Sequence, residues 1–114
     1  MRIAAATILL SFASTTVMAG PFEGTWDASK ETCSLELSDF RLTISGNQAN
    51  YWESTCEMVQ ATQLRDMGSS ILYDLQCNGE GETYSGGRVL YSITAAGQLL
   101  AYSGGFIALR ERCK

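Results

Sequence analysis

Apolar side chains recur at every second position through the middle and end of this chain, the period of a half-buried strand rather than of a helix. In Ile71–Cys77 the odd positions are apolar, and Asp74 and Gln76 between them are polar. Val89, Tyr91 and Ile93 make a similar face, broken on its other side by Leu90. Phe106, Ala108 and Arg110 oppose Ile107, Leu109 and Glu111, so this last segment is expected to be covered on both faces. Arg41–Ser45, Ala49–Glu53, Ile71–Cys77, Arg88–Thr94, Leu99–Ser103 and Phe106–Arg110 are all rich in β-branched and aromatic residues. Turn signals separate them at Gly46-Asn47, Met67-Gly68, Asn78-Gly79, Ala96-Gly97 and Gly104-Gly105. The pattern predicts an all-β domain, a meander of antiparallel hairpins closing as a small up-and-down barrel, with a small sandwich as the alternative.

One segment carries two signals. Ser54-Thr55-Cys56-Glu57 fits a capping box, Glu57–Met67 holds mostly good helix formers, and Gly68 stands where a helix would stop. Against a helix, Val59, Ala61 and Gln63 alternate with Met58, Gln60, Thr62 and Leu64 and leave no clear apolar helical stripe. The alternation favours a strand, with the helix left open.

The chain begins differently. Arg2 supplies a positive charge, Ile3 to Leu10 run apolar, and Val17-Met18-Ala19 ends in small residues at the spacing of a signal-peptidase site. Residues 1–19 are therefore read as a cleavable secretory signal peptide, the apolar core being shorter than the roughly 20 residues that span a bilayer. Residues 20–114 make a single β-barrel domain, small enough that covalent staples matter. The expected location is periplasmic or secreted, with no membrane attachment after signal cleavage.

Cys33, Cys56, Cys77 and Cys113 all lie in the exported part, where an even count implies two disulfides. Their gaps of 23, 21 and 36 residues lack the close pairs of a thiolate zinc site. If the chain turns around near Met67, Cys56 and Cys77 fall almost opposite each other, 11 residues before it and 10 after. Facing residues on neighbouring strands are close enough to bridge where the pair is not hydrogen-bonded. This favours Cys56–Cys77 with Cys33–Cys113; Cys33–Cys56 with Cys77–Cys113 is the alternative.

Charge and residue types narrow the chemistry. Losing Arg2 with the leader leaves 7 basic residues against 12 acidic ones, a net charge of −5. Nucleic acid and anionic membranes are poor partners for such a surface, and a basic secreted or periplasmic protein is electrostatically favoured. The chain has no histidine, which excludes Ser–His–Asp and Cys–His catalysis. Glu53 with Glu57, and Glu80 with Glu82, remain as carboxylate pairs, but acids this close on a turn read as solvated. The expectation is a protein that is not an enzyme, with no catalytic residues, no metal ligands and no cofactor.

Two polar features stand out. Asn78-Gly79-Glu80-Gly81-Glu82 follows Cys77 directly and reads as a flexible acidic hairpin tip or a protein-binding loop. Tyr84-Ser85-Gly86-Gly87 returns 18 residues later as Tyr102-Ser103-Gly104-Gly105, each before an apolar strand, which predicts two similar turns or bulges.

Phe22-Glu23-Gly24-Thr25-Trp26 near the start and Arg110 and Arg112 near the end resemble the calycin-type barrels, which include lipocalins and small periplasmic inhibitors of metalloproteases. The resemblance implies that Trp26 plugs one end of the barrel and that Arg110 or Arg112 covers it. The wider pattern of Gly-x-Trp, Cys33, Trp52 to Cys56, Cys77 to Glu82 and Arg112-Cys113 is similar to small uncharacterised exported proteins of proteobacteria. After the expected cleavage only Gly20-Pro21-Phe22, with Glu23, precedes the Gly-x-Trp motif, where the protease inhibitors carry an arm that enters the enzyme cleft. The expected function is that of a small exported binding protein inhibiting a hydrolase, a protease or a lysozyme. The alternatives are a lipocalin-like carrier with a cavity lined by Trp52, Tyr73, Tyr91 and Leu75, and an envelope-stress or structural protein with no discrete site.

Overall fold

Four two-residue turns set the architecture, at Gly46-Asn47, Trp52-Glu53, Glu80-Gly81 and Gly104-Gly105. Tight hairpin turns need left-handed backbone. Glu80 (φ 52°) with Gly81 (φ 80°), and Gly104 (φ 58°) with Gly105 (φ 87°), supply it at both central positions. The computed structural model describes residues 20–114; the signal-peptide reading of residues 1–19 lies outside the described residues.

The strands are β1 (Gly24–Asp27), β2 (Leu42–Ser45), β3 (Gln48–Tyr51), β4 (Ser54–Gln63), β5 (Ile71–Gly79), β6 (Glu82–Ile93), β7 (Leu99–Ser103) and β8 (Phe106–Cys113). Each pairs antiparallel with its sequence neighbours, and β8 returns to β1 through Thr25 opposite Cys113 and Trp26 opposite Arg112. The result is a closed eight-stranded up-and-down barrel, as the alternation predicts. One helical turn, α1 (Lys30–Cys33), lies in the loop between β1 and β2. The up-and-down order divides the connections between two ends. The near end carries Gly20–Glu23, the turn after β2, the loops after β4 and β6, and Lys114. The far end carries the loop after β1 and the turns after β3, β5 and β7.

The ambiguous segment is a strand through Gln63, irregular between Val59 and Thr62, with Leu64–Ser70 as the loop beyond it. Cys56 and Met58 point to the core while Thr55 and Glu57 are exposed, so alternation decides this segment over helix propensity. A capping box does form, but at Ser29: its hydroxyl accepts from the Thr32 amide, and Thr32 Oγ1 accepts from the Ser29 amide. The strand after the last turn also differs from expectation: Ile107 and Leu109 are exposed, so the outward face of Phe106–Arg110 is uncovered.

The inward row forms one core around Trp26, Leu42, Ile44, Met58, Leu75, Val89, Tyr91 and Leu99. Cys56 and Cys77 face each other across β4 and β5 with Cα atoms 4.0 Å apart and are bridged inside the barrel. Gly86 makes room for this bridge. A Cβ there would sit 2.6 Å from Cys77 Sγ and 2.9 Å from Leu75 Cβ, and the register shift at Leu75/Gln76 falls at the same point. The first Tyr-Ser-Gly-Gly is thus a bulge within β6 and the second is the hairpin turn after Tyr102-Ser103.

Cys33 and Cys113 form the second bridge, which ties the loop carrying α1 to the last strand. Lys30 Nζ donates to the Arg112 carbonyl at 2.7 Å alongside it. Asp27, fully buried beneath this loop, accepts from the Ala28 amide, Ser38 Oγ and Arg41 Nε. Arg41 donates onward to the carbonyls of Thr32, Leu35 and Glu36, so a single ion pair organises most of the segment. Burial works against the charge on Asp27, but its donors prevail and hold the carboxyl below the usual aspartate range.

Candidate functional site at the far end of the barrel

The two arginines near the end of the chain belong to the scaffold. Trp26 is fully buried, and its indole N–H donates to the Phe22 carbonyl at 2.9 Å. The Arg112 guanidinium lies 4.1 Å from the Trp26 ring centroid, at cation–π distance. It also donates to the Glu23 carbonyl, so the near end is sealed by an aromatic ring under a tethered cation. Arg110, one inward position earlier, lies 4.1 Å from the Phe40 ring centroid and donates to the Phe40 carbonyl. Burial pushes its pKa down against the upward pull of Tyr51, Tyr91 and Asp27. Tyr51 and Tyr91 join hydroxyl to hydroxyl beside it, and burial raises the pKa of both phenols.

The far end presents its aromatic groups outward. Trp52 occupies the turn after β3 and is 45% exposed; Tyr84 is 48% exposed and Phe106 80% exposed. Asn78 and Gly79 end β5, Glu82 begins β6, and only Glu80-Gly81 lies in the turn. The expected five-residue flexible tip is therefore a tight two-residue hairpin, because Asn78 pairs with Thr83 and Gly79 with Glu82. The neighbouring turn packs against it: a Cβ on Gly79 would lie 2.8 Å from the Glu53 carbonyl oxygen and 3.3 Å from Ser54 Cβ. Between the two turns lies a notch of about 280 Å³, lined by Trp52, Glu53, Gly79, Glu80, Glu82 and Tyr84. None of these three carboxylates is ion-paired among the described residues, whose salt bridges are Asp27–Arg41 and Asp74–Arg88.

A second concavity, of about 690 Å³, runs along the outer face of β4, β5 and β6 past Glu57, Gln76, Asn78, Thr83, Ser85 and Arg88. It adjoins the notch through Tyr84. Aromatic faces beside free carboxylates on short, closely packed turns form a surface suited to cationic side chains, by charge and by cation–π contact.

The sequence-derived candidates separate in space. Trp26, Arg110 and Arg112 hold the barrel, and Asn78 to Glu82 belong to the far end. Trp52, Tyr73, Tyr91 and Leu75 do not share a cavity: Trp52 is outside on its turn, while Tyr73 and Tyr91 pack with Phe22 at centroid distances of 6.5 Å and 5.8 Å and with each other at 6.0 Å. The part played by Trp52 in the far-end notch was not visible in the sequence, where Ala49–Glu53 reads as one strand; the strand ends at Tyr51, and Trp52-Glu53 turns without the glycine or asparagine that marks such a turn. Sequence reasoning also missed Asp27 and Phe40, whose partners are distant in sequence. Among the described residues no group of three His, Cys, Asp or Glu side chains is placed to hold a metal ion. Comparison with known proteins returns no matching family model, no matching curated protein and no matching solved structure. The class defined by fold and bonding is a two-disulfide, eight-stranded β-barrel suited to an oxidising compartment, with no described helix long and apolar enough to cross a membrane.

Proposed function

We propose that this is an exported protein-binding barrel of the periplasm or the secreted fraction that inhibits a basic hydrolase, a protease or a lysozyme, through its far end. The observation that carries this reading is the exposure of Trp52 and Tyr84 among the free carboxylates of Glu53, Glu80 and Glu82. Exposed aromatics are the residues that dominate binding energy at protein interfaces. Carboxylates around them steer a cationic partner into register, and the closely packed turns lower the entropy cost of docking. The net charge of −5 on residues 20–114 acts in the same direction.

The test is capture and inhibition assays of the disulfide-bonded protein against a panel of basic secreted lysozymes and proteases. The expected result is inhibition of at least one enzyme at micromolar protein, weakening as ionic strength rises. Absence of binding and inhibition throughout the panel overturns the proposal.

A further inference from the structure

β6 extends well beyond its partner on one side. It runs from Glu82 to Ile93, yet pairs with β7 only through Leu90–Ile93; from Glu82 to Val89 its ladder partner is β5 alone. In an antiparallel strand the N–H and C=O of each residue point to the same neighbour, and successive residues alternate sides. Gly79 and Glu82 flank a two-residue turn and so form a hydrogen-bonded pair, which makes Tyr84, opposite Cys77, bond toward β5 as well. The 4.0 Å separation of Cys56 and Cys77 fits the close, non-hydrogen-bonded kind of pair and gives Cys77 the same orientation, toward β6. Thr83 and Ser85 therefore aim their N–H and C=O groups out of the sheet at the free edge.

The lower part of that edge is blunted. Ser85 Oγ accepts from the Gly87 amide at 3.2 Å, Ser103 Oγ donates to the Arg88 carbonyl at 2.8 Å, and the bulge at Gly86 twists the strand. Ser85 takes part in these devices through its side chain alone, and the backbone of Thr83–Ser85 lies above them, between the notch and the outer groove. An unpaired edge is a template for another strand.

We infer that β6 at Thr83–Ser85 is a strand-addition site that takes an extended basic segment of a partner protein, an inference that rests on the protein-binding reading above. The added strand completes the ladder through the backbone of Thr83 and Ser85. Its alternate side chains fall on the Tyr84 face and on the groove face, whose lining includes Glu57 on β4 and Arg88, the latter already paired with Asp74. Glu80 and Glu82 at the hairpin tip complete an acidic frame that selects lysine or arginine. A second copy of the chain, carrying the same net charge of −5, is disfavoured by that frame.

The experiment is an NMR titration of residues 20–114, disulfides intact, with a nonapeptide of alternating lysine and valine. The Thr83 and Ser85 amides are expected to shift and to gain protection from hydrogen exchange, while a glutamate–valine counterpart has no effect. Thr83→Pro removes an N–H that makes no internal ladder bond, a place where an edge strand tolerates proline, and is expected to weaken peptide binding about tenfold or more. N-methylation of alternate peptide amides gives the same loss without altering the protein. No binding, binding indifferent to both changes, or protection that follows protein concentration instead of peptide overturns the inference. If Thr83→Pro still captures and inhibits an enzyme of the panel at full strength, strand addition fails and the protein-binding reading stands. If the peptide binds as described while no enzyme is captured, the site stands and the inhibitor reading fails.

Discussion

The two ends of the barrel use the same kinds of side chain to opposite effect. At the near end, fully buried Trp26 lies under Arg112, and its one polar atom is satisfied by the Phe22 carbonyl. At the far end, Trp52 and Tyr84 are about half exposed and stand beside carboxylates without cations of their own. An aromatic ring paired with a charge from its own chain is a closure. A ring left beside unmatched charge is a surface awaiting its complement. The difference separates residues whose loss damages the fold from those whose loss damages binding.

The largest effect is expected at the closed end. Trp26→Ala removes the widest ring of the core and leaves Arg112 without its platform, and should destabilise the barrel by about 3–5 kcal/mol in denaturant unfolding. A loss below about 1 kcal/mol would show that the plug is incidental. Next, converting both Cys33 and Cys113 to serine opens a loop spanning 80 residues of separation. On the chain-entropy account this costs about 4 kcal/mol, lowered in practice by structure that remains in the unfolded chain. Serine at both Cys56 and Cys77 opens a separation of only 21 and should cost less through that term, with buried hydroxyls adding to it.

Asp27 sharpens the comparison through pH. Its carboxyl titrates lower in the folded chain than in the unfolded one, so its contribution is fully present above the ordinary aspartate range and is lost as pH falls through the folded value. Asp27→Asn should cost about 1.5–3 kcal/mol at neutral pH and flatten the acid limb of the stability profile. Unfolding curves of the two proteins that keep the same separation from neutral pH to below the aspartate range would contradict this. At the opposite extreme, Trp52→Ala and Tyr84→Ala should each change stability by less than about 0.5 kcal/mol, read as a thermal midpoint close to that of the parent.

Strand positions and the bridges were legible because both follow from local rules. The two-residue period of Ile71–Cys77 shows in β5 where Leu75 and Cys77 are buried and Gln76 between them is exposed, and reflection of the chain about Met67 places Cys56 opposite Cys77. Gly24-Thr25-Trp26 also pointed to a plug, but only the register, Trp26 opposite Arg112, separates Arg112 from Arg110. α1 was not legible, since four residues carry no periodicity and its capping box uses Thr32 where the common pattern has Glu or Gln. The free edge of β6 was hidden for another reason. It arises from the unequal lengths of the β5–β6 and β7–β8 hairpins, and length differences between hairpins leave no mark in alternation.

The most direct measurement compares inhibition of a captured enzyme by three variants of equal fold stability: Trp52→Ala, Tyr84→Ala and Met67→Ala. Met67 is 55% exposed on the near-end loop after β4 and serves as an apolar surface control. The far-end variants are predicted to weaken inhibition by about tenfold or more, equivalent to ~1.4 kcal/mol, while Met67→Ala matches the parent. Inhibition that survives both far-end changes, or that falls with Met67→Ala instead, would contradict the assignment of binding to the far end.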